Sequence, residues 1–383
     1  MSKQQVKVTA NEIQFEDLTV SIRKIGEEYN SDMLAIMDRS PMQSKTIDFV
    51  TDRSPDIFQI PKFYYDTYSY FGFFVGEDLR GFALLAIKTA LVNKEPEPVF
   101  HFTDYYLDHS LRRRNLYYLS GPYIYSHLPA NCKIGYAIFI KGNLPIQSIA
   151  KTTATKIARV PHTQRVADLQ VYSIFPMLKK RGNKKYQVRQ ATHDDINAMI
   201  DLLVHEHSGR LFGKQNSKAG FRDALEKTPG LSIEDYYVAL LDDVVVGSLG
   251  VWDTSTFNRI KVTRYGWVFQ VARWFHSVLA KLLGFQSLPR AGQHLQSIYL
   301  RDIAVRGRDP EILEALLVAV YNTYRTKDKH VIYAGIVKGD PLGLAFSHFL
   351  HEVVESQMVL GVFQPVELSD VQTDNPFVEF GVL

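Results

Sequence analysis

The hydrophobic and polar positions of this chain fall into an order that occurs twice. Near the start, Ile22-Arg23 closes a short alternating strand, and apolar residues at helical spacing follow through Tyr29, Met33, Leu34, Ile36 and Met37. The same events recur at Val188-Arg189, where Thr192 and Asp195 form a capping pair for a helix carrying Ile196, Met199, Ile200, Leu202 and Leu203. Phe73-Phe74-Val75, a turn at Gly76-Glu77-Asp78 and the run Gly81 to Leu85 predict a hairpin; Tyr237 to Leu240, a turn at Asp242-Asp243 and the run Gly247 to Val251 predict its counterpart. Arg23 and Arg189 lie 166 positions apart, and so do Gly81 and Gly247. Farther along, Asp104-Tyr105-Tyr106-Leu107 matches Asp302-Ile303-Ala304-Val305 at a spacing of 198, and Lys141-Gly142-Asn143 matches Lys338-Gly339-Asp340 at 197. Four matches in order, with one jump in spacing, predict a duplicated unit whose second copy carries an insertion within residues 254–296.

Each unit reads as strand, helix, hairpin, strand, loop, helix, strand, helix and terminal strands, an α/β layout with a mixed sheet. The charged stretch Lys179 to Lys185 has no apolar pattern and places the boundary, giving expected domains of 1–180 and 186–383. Inside the insertion, Trp267, Val268, Val271, Trp274, Phe275, Val278, Leu279 and Leu282 share one helical face, with Gln270, Arg273, Ser277 and Lys281 opposite. Three uses of that face stay open: packing on the domain body or between the two domains, lining an apolar pocket, or lying on a membrane surface through 265–285.

Composition narrows the field. At 383 residues the chain exceeds one ordinary core, and 46% hydrophobic with 22% charged residues is a globular balance. A net charge of +3 carries no concentrated basic footprint, so no nucleic-acid partner is expected. The single cysteine, Cys132, excludes an internal disulfide framework. The polar opening Met1 to Gln5 leads into no apolar run, and Tyr265 to Phe285 is interrupted by Arg273, His276 and Lys281, so a cytoplasmic protein is expected. His205-Glu206-His207 has the wrong spacing for a metal site on a helix, and none is expected. Phosphate-binding glycine loops, dinucleotide-binding glycine patterns and a serine nucleophile elbow are missing from the sequence.

The chemistry concentrates at Asp104 to Leu119. A strand ends, a loop containing Arg112, Arg113 and Arg114 turns, and an apolar helix begins near Leu116. Amides at such a helix entrance lack intrahelical acceptors and point outward with the positive end of the dipole, which favours an anion. Arginine adds bidentate phosphate recognition. In the second copy the equivalent stretch, Val305-Arg306-Gly307-Arg308-Asp309-Pro310-Glu311, loses an amide donor at Pro310 and places acids at Asp309 and Glu311, so this copy is expected to be degenerate.

The element order and this strand, basic loop and helix resemble the GCN5-related N-acetyltransferase family, whose cofactor loop often reads V-x-P-x-x-R-G-R-G-I. Leu107 falls on the V, Arg112 and Arg114 on the two R, Asn115 on the following G and Leu116 on the I, while Arg113 and Tyr117 stand where small residues are usual. The resemblance implies two tandem acyl-CoA N-acyltransferase folds, acetyl-CoA or another acyl-CoA as co-substrate, and a small-molecule or peptide amine as acceptor. It implies a cofactor site from Tyr105, Leu107, Arg112, Arg113, Arg114, Asn115, Leu116 and Asn143, with Asn143 at the pantetheine arm. It also implies a base on or near the fourth strand and a tyrosine acid. Asp104 and His109 are candidates for the base, and Tyr105, Tyr106 and Tyr136 for the acid. Tandem copies of this fold also resemble Fem-type aminoacyl ligases and myristoyl transferases. A non-catalytic binding module with two decayed loops is the alternative from another class.

Overall fold

Turns with left-handed backbone fix the antiparallel part of the structure. In this computed structural model, which describes all residues except 1–6, 10, 44–46, 142–159, 268, 269, 272, 275, 276, 278, 279, 281, 283–285, 328 and 383, the strands run in chain order as follows. They are β1 (Lys7–Val8), β2 (Glu12–Gln14), β3 (Thr19–Ile25), β4 (Ile47–Asp52), β5 (Thr67–Val75), β6 (Asp78–Val92), β7 (Glu95–Leu107), β8 (Ile134–Ile140) and β9 (His162–Ile174). Then come β10 (Gln187–Gln190), β11 (Tyr236–Leu241), β12 (Val244–Trp252), β13 (Arg259–Tyr265), β14 (His294–Leu295), β15 (Ser297–Val305), β16 (Val331–Val337) and β17 (His351–Val362). The α-helices with both ends among the described residues are α1 (Asn30–Asp38), α2 (Gln59–Tyr64), α3 (Leu116–Tyr125), α4 (Ile196–His207), α5 (Lys218–Lys227) and α6 (Pro310–Arg325). Asn93 and Lys94 join β6 to β7 with φ of 52° and 71°, and Asp242 and Asp243 join β11 to β12 with 48° and 61°. Two left-handed residues in a two-residue loop match the twist of the strands they connect.

The chain divides into two units, and they are not its two halves. Residues 1–40, 53–167 and 356–373 form the first; residues 41–52, 168–355 and 374–383 form the second. In the first unit the sheet order is β1-β2-β3-β5-β6-β7-β8, with Ser356 to Val362 of β17 pairing antiparallel to β8. In the second, Leu169 to Ile174 of β9 pair antiparallel to β16, followed by β15, β12, β11 and β10. Each sheet is therefore completed by a strand from the other half of the sequence. The stretch 179–185, read as a boundary, lies inside the second unit. The exchanged strands alternate alike, so the pattern gives no preference for one sheet edge over another.

The expected internal register is present in the pairing itself. Phe73 faces Gly81 with a bulge after Phe73, and Ala239 faces Gly247 with a bulge after Ala239, each residue 166 positions from its counterpart. Gly81 faces Leu107 and Gly247 faces Val305, again with matching irregularities farther along both pairs. Both faces of the first sheet are covered. Phe71, Phe73, Leu85 and Phe102 pack with Leu116, Ile124 and Tyr125 of α3, while Tyr70, Phe74, Phe82 and Leu84 pack with Met33, Ile36 and Met37 of α1. In the second unit α6 buries Ile312, Leu313, Leu316, Leu317 and Val320 against β12, β15 and β16. Thr192 and Asp195 form the capping box expected ahead of α4.

The insertion belongs to the second unit. β13 pairs antiparallel with β4 on one side and β14 on the other. Asp52 accepts from Arg259 at 2.9 Å and lies 2.7 Å from His294 Nε2, while Asp48 accepts from Arg264 at 2.6 Å. Helical residues follow between 267 and 282, and their apolar side faces away from the body. Trp267 is 80% exposed and Trp274 62%. Ala280 is buried, and the Arg273 guanidinium lies 5.8 Å from the Tyr265 ring centre. Of the three uses held open for that face, packing on the domain body is not the one these residues show. Among the described residues no helix is long and apolar enough to cross a membrane.

Candidate cofactor and catalytic site

A bulge builds the centre of the first unit. β7 shifts register against β6 between Phe82 and Leu84, and Asp104 opposite takes a left-handed conformation with φ of 50°. Its carboxylate is thereby turned into the protein on the α1 side. There it accepts from Arg53 Nη1 at 2.5 Å and from Tyr70 Oη at 3.0 Å. Both members of the ion pair are buried, with side chains only 4% and 6% exposed. Burial by itself would depress the Arg53 guanidinium, but the adjoining Asp104 carboxylate overrides it and holds the arginine protonated. Tyr70 is pushed well above the usual phenol range by burial and then by the same carboxylate.

Just before the bulge, β7 and β8 run parallel and pair only from Val99 to His101 against Ile134 to Tyr136. Beyond that point the two strands are not paired with each other, so their facing edges bound a gap in the ladder, called here the cleft. At its apex His101 stacks on Tyr136 with ring centres 4.4 Å apart, and its Nδ1 lies 2.6 Å from Tyr65 Oη. Burial, then the Lys88 charge, pushes the imidazole well below its ordinary value, so it is neutral. Its Nε2 is buried with no hydrogen-bond partner among the described residues.

The cleft leads to the turn between β7 and α3. Asp108 accepts from Ser110 N at 3.2 Å, which shapes a short 3-10 turn over His109–Leu111. Arg113 and Asn115 are both left-handed, at φ of 63° and 56°, on either side of Arg114. Among the described residues nothing accepts from the amides of Arg113, Arg114, Asn115, Leu116 or Tyr117, whereas those of Tyr118 and Leu119 bond to Asn115 O. Alternating backbone handedness with free amides at a helix entrance makes an anion-binding concavity. Arg112 donates to Leu107 O at 3.0 Å and Ser40 Oγ at 3.3 Å, and Arg114 forms a bidentate pair with Asp17 at 2.7 and 2.6 Å. The Arg114 hydrogen bond holds the Asp17 carboxyl below its usual range. Those two arginines thus brace the turn; Arg112 and Arg113 are both exposed, and Arg113 is the one with no ion pair or side-chain hydrogen bond among the described residues. Tyr117 does not lie across the turn; its ring packs edge-on to Phe102 and Tyr105, and burial pushes its phenol up to about 12.

The remaining sequence-predicted residues are dispersed. Tyr105 and Leu107 pack on the α3 side of the sheet and Tyr106 on the α1 side against Phe82. The Tyr105 hydroxyl is buried without a partner among the described residues. His109 is exposed, and Asn143 lies outside the described residues. Arg53, Tyr65, Tyr70 and His101 were not singled out from the sequence. Only Tyr70 carried a signal, since Tyr236 lies at the same 166-position offset.

The second unit repeats the centre and fills the cleft. Asp302, with φ of 48°, accepts from Tyr236 Oη at 2.8 Å, Lys214 Nζ at 2.6 Å and Arg301 Nε at 2.9 Å. Burial would raise its carboxyl, but the two cations hold it far below the usual range. β15 and β16 pair only from Ser297 to Tyr299 against Val331 to Tyr333 and then diverge. Into that opening runs the segment 376–380. Phe377 N donates to Leu211 O at 2.8 Å, Glu379 accepts from Lys214 at 2.6 Å, and Phe380 lies on Gly335, leaving a cavity of about 40 Å³. A Cβ on Gly335 would stand 1.9 Å from the Phe380 ring. The turn is four residues long, 306–309, against eight, 108–115, in the first unit. Asp309 already accepts from Glu311 N at 2.9 Å, and Arg308 is tied to Glu206 and Asp340.

The bulged strand β7, its parallel neighbour β8 that pairs with it over only three residues, and a helix entrance whose amides have no acceptor among the described residues define an acyltransferase fold, in which β7 and its counterpart β15 are the fourth strands. The chain has the fold of the GCN5-related N-acetyltransferases and of N-myristoyltransferase. It is similar to a GCN5-related N-acetyltransferase from Sphaerobacter thermophilus, with a TM-score of 0.51 at 13% identity over 78% of this chain and 82% of that one. It is similar to Saccharomyces cerevisiae N-myristoyltransferase, solved with bound myristoyl-CoA and inhibitors, with a TM-score of 0.58 at 11% identity over 94% of this chain and 82% of that one. No protein-family model and no curated protein sequence matches the chain.

Proposed function

We propose that the chain is an acyl-CoA-dependent N-acyltransferase whose first unit binds the acyl-CoA and whose second unit is a non-catalytic partner. The observation that carries this reading is the turn 112–117, with five amides free of acceptors among the described residues and Arg113 exposed beside them. Those amides and the Arg113 guanidinium fit a diphosphate, and the cleft between β7 and β8 offers strand edges to an extended pantetheine arm. Acyl-CoA supplies a thioester; the deprotonated acceptor amine forms a bond to its carbonyl carbon, the C–S bond breaks, and coenzyme A leaves as a thiolate that takes up a proton. Asp104 is committed to Arg53 and Tyr70, so it acts as scaffold for the bulge. His101 is neutral and sits at the apex of the cleft, which makes it the titratable group best placed to orient Tyr136 and Tyr65 there. Acetyl is the acyl group proposed. A long-chain acyl group is the second reading, favoured by the likeness over 94% of the chain to a protein solved with myristoyl-CoA.

Calorimetry with acetyl-CoA, myristoyl-CoA and free coenzyme A tests both readings. Arg113→Ala is expected to weaken binding of all three by about 5- to 30-fold, the range of one charge-assisted hydrogen bond at an exposed site. Unchanged affinity in this variant, or no binding of any of the three by the unaltered protein, refutes the assignment. A preference between the two acyl chains decides the second reading.

A further inference from the structure

The insertion helix of the second unit has the reverse of the usual surface arrangement. Trp267, Val271, Trp274 and Leu282 follow one another at spacings that keep them on one face, and they are 80%, 53%, 62% and 75% exposed. Arg273 and Ala280 turn the other way, toward Tyr265 and the body. Two of the chain's three tryptophans are therefore displayed to solvent on one stripe about 22 Å long.

Charge says what this stripe meets. Residues 254–296 contain Arg259, Lys261, Arg264, Arg273, Lys281 and Arg290, and not one Asp or Glu. Asp52 and Asp48 of β4 take up Arg259 and Arg264. Arg273 and Arg290 have no carboxylate partner among the described residues. A second copy of this chain docking through the same face would set one acid-free segment against another, a like-charge contact that disfavours association. An anionic lipid surface meets both requirements, because indoles partition to the headgroup level and cations are drawn to acidic lipids. Among the described residues no helix is long and apolar enough to span a bilayer. We infer that the insertion is a membrane-surface docking element that lays Trp267, Val271, Trp274 and Leu282 into the headgroup boundary of an anionic leaflet.

The inference does not depend on the acyltransferase reading, since it is tested without acyl-CoA. The full chain is mixed with phosphatidylcholine vesicles, with or without phosphatidylserine, and read by co-sedimentation and tryptophan emission. Trp252 is buried and contributes a constant background, so a blue shift reports on Trp267 and Trp274. Partition is expected onto the phosphatidylserine vesicles, weakening with added salt. Trp267→Ala with Trp274→Ala is expected to reduce it by at least about tenfold, given the apolar area lost. Arg290→Gln should reduce the preference for the anionic vesicles. Unchanged thermal denaturation shows that each variant is folded. No partition of the unaltered protein, equal binding to both vesicle types, or a Trp267-dependent dimer by light scattering would each overturn the inference.

Discussion

Replacing Asp104 by Asn separates a scaffold from a base, because Asn tolerates the left-handed backbone of this position and changes only the charge. The substitution leaves the Arg53 guanidinium buried opposite a neutral amide, with 4% of its side chain exposed. Removing one member of a buried pair costs about 3–5 kcal/mol, and the retained amide oxygen keeps the loss near the lower end, at roughly 3 kcal/mol. At about 2–4 °C per kcal/mol for a unit of this size, the melting temperature should fall by roughly 6–12 °C. Combining Arg53→Met with Asp104→Asn removes the orphaned charge and should restore most of that loss, to within about 1–2 kcal/mol of the unaltered protein. Denaturant titration of the three variants measures the cycle. Turnover of acyl-CoA, followed below the melting range, should fall less than about tenfold with the shape of its pH profile kept. A general base is worth about 10²–10⁴ in rate. Destabilisation below about 1 kcal/mol together with a rate loss above about a hundredfold and a lost pH limb would refute the scaffold assignment.

Two further perturbations follow from the same geometry. His101 is pushed well below its ordinary value of 6.5 in the folded chain and titrates normally when unfolded. The unfolded state therefore binds the extra proton, and stability should be complete above about pH 6.5 and fall below it by up to about 1.4 kcal/mol per pH unit. Denaturant titrations between about pH 5 and 7 should show that slope, and His101→Phe, which keeps the stack on Tyr136, should flatten it. In the second unit, Gly335→Ala drives a methyl into the Phe380 ring, so it should cost about 1–3 kcal/mol and expose 374–380 to limited proteolysis. Resistance equal to that of the unaltered protein would show that the segment is not seated on Gly335.

The fold was legible in the sequence wherever local pattern and spacing decide it. Gly81 and Gly247 were matched by offset, and both prove to face the ends of their fourth strands, at Leu107 and Val305. Asn115, at the loop position where the resembling family has glycine, takes a left-handed conformation, which asparagine tolerates. What stayed hidden depends on partners far along the chain. Arg112 and Arg114 read as phosphate ligands because nothing local shows that Ser40 and Asp17 reach them. The exchange of β9 and β17 is invisible because alternation specifies a face and not an edge. The insertion helix makes the same point in reverse, since periodicity identified an apolar face but could not say which way it points.

The two clefts, compared residue by residue, bear on what the buried centre is for. Both units keep a left-handed aspartate on the fourth strand, both give it a tyrosine from the strand two places away, and both add buried cations. The first cleft ends in amides with no acceptor among the described residues; the second is filled by 376–380, its turn is shortened and its helix entrance is capped by Asp309. A proton-transferring carboxylate has no work to do in a cleft that holds its own chain. A carboxylate that pins the bulge, and so sets where the strands part, is needed in both. The presence of the same centre in the filled copy therefore argues that Asp104 positions the cleft, and that the chemistry of transfer belongs to groups the second unit does not repeat. His101 is one group that differs, for its counterpart at the apex of the second cleft is Tyr299, stacked on Tyr333.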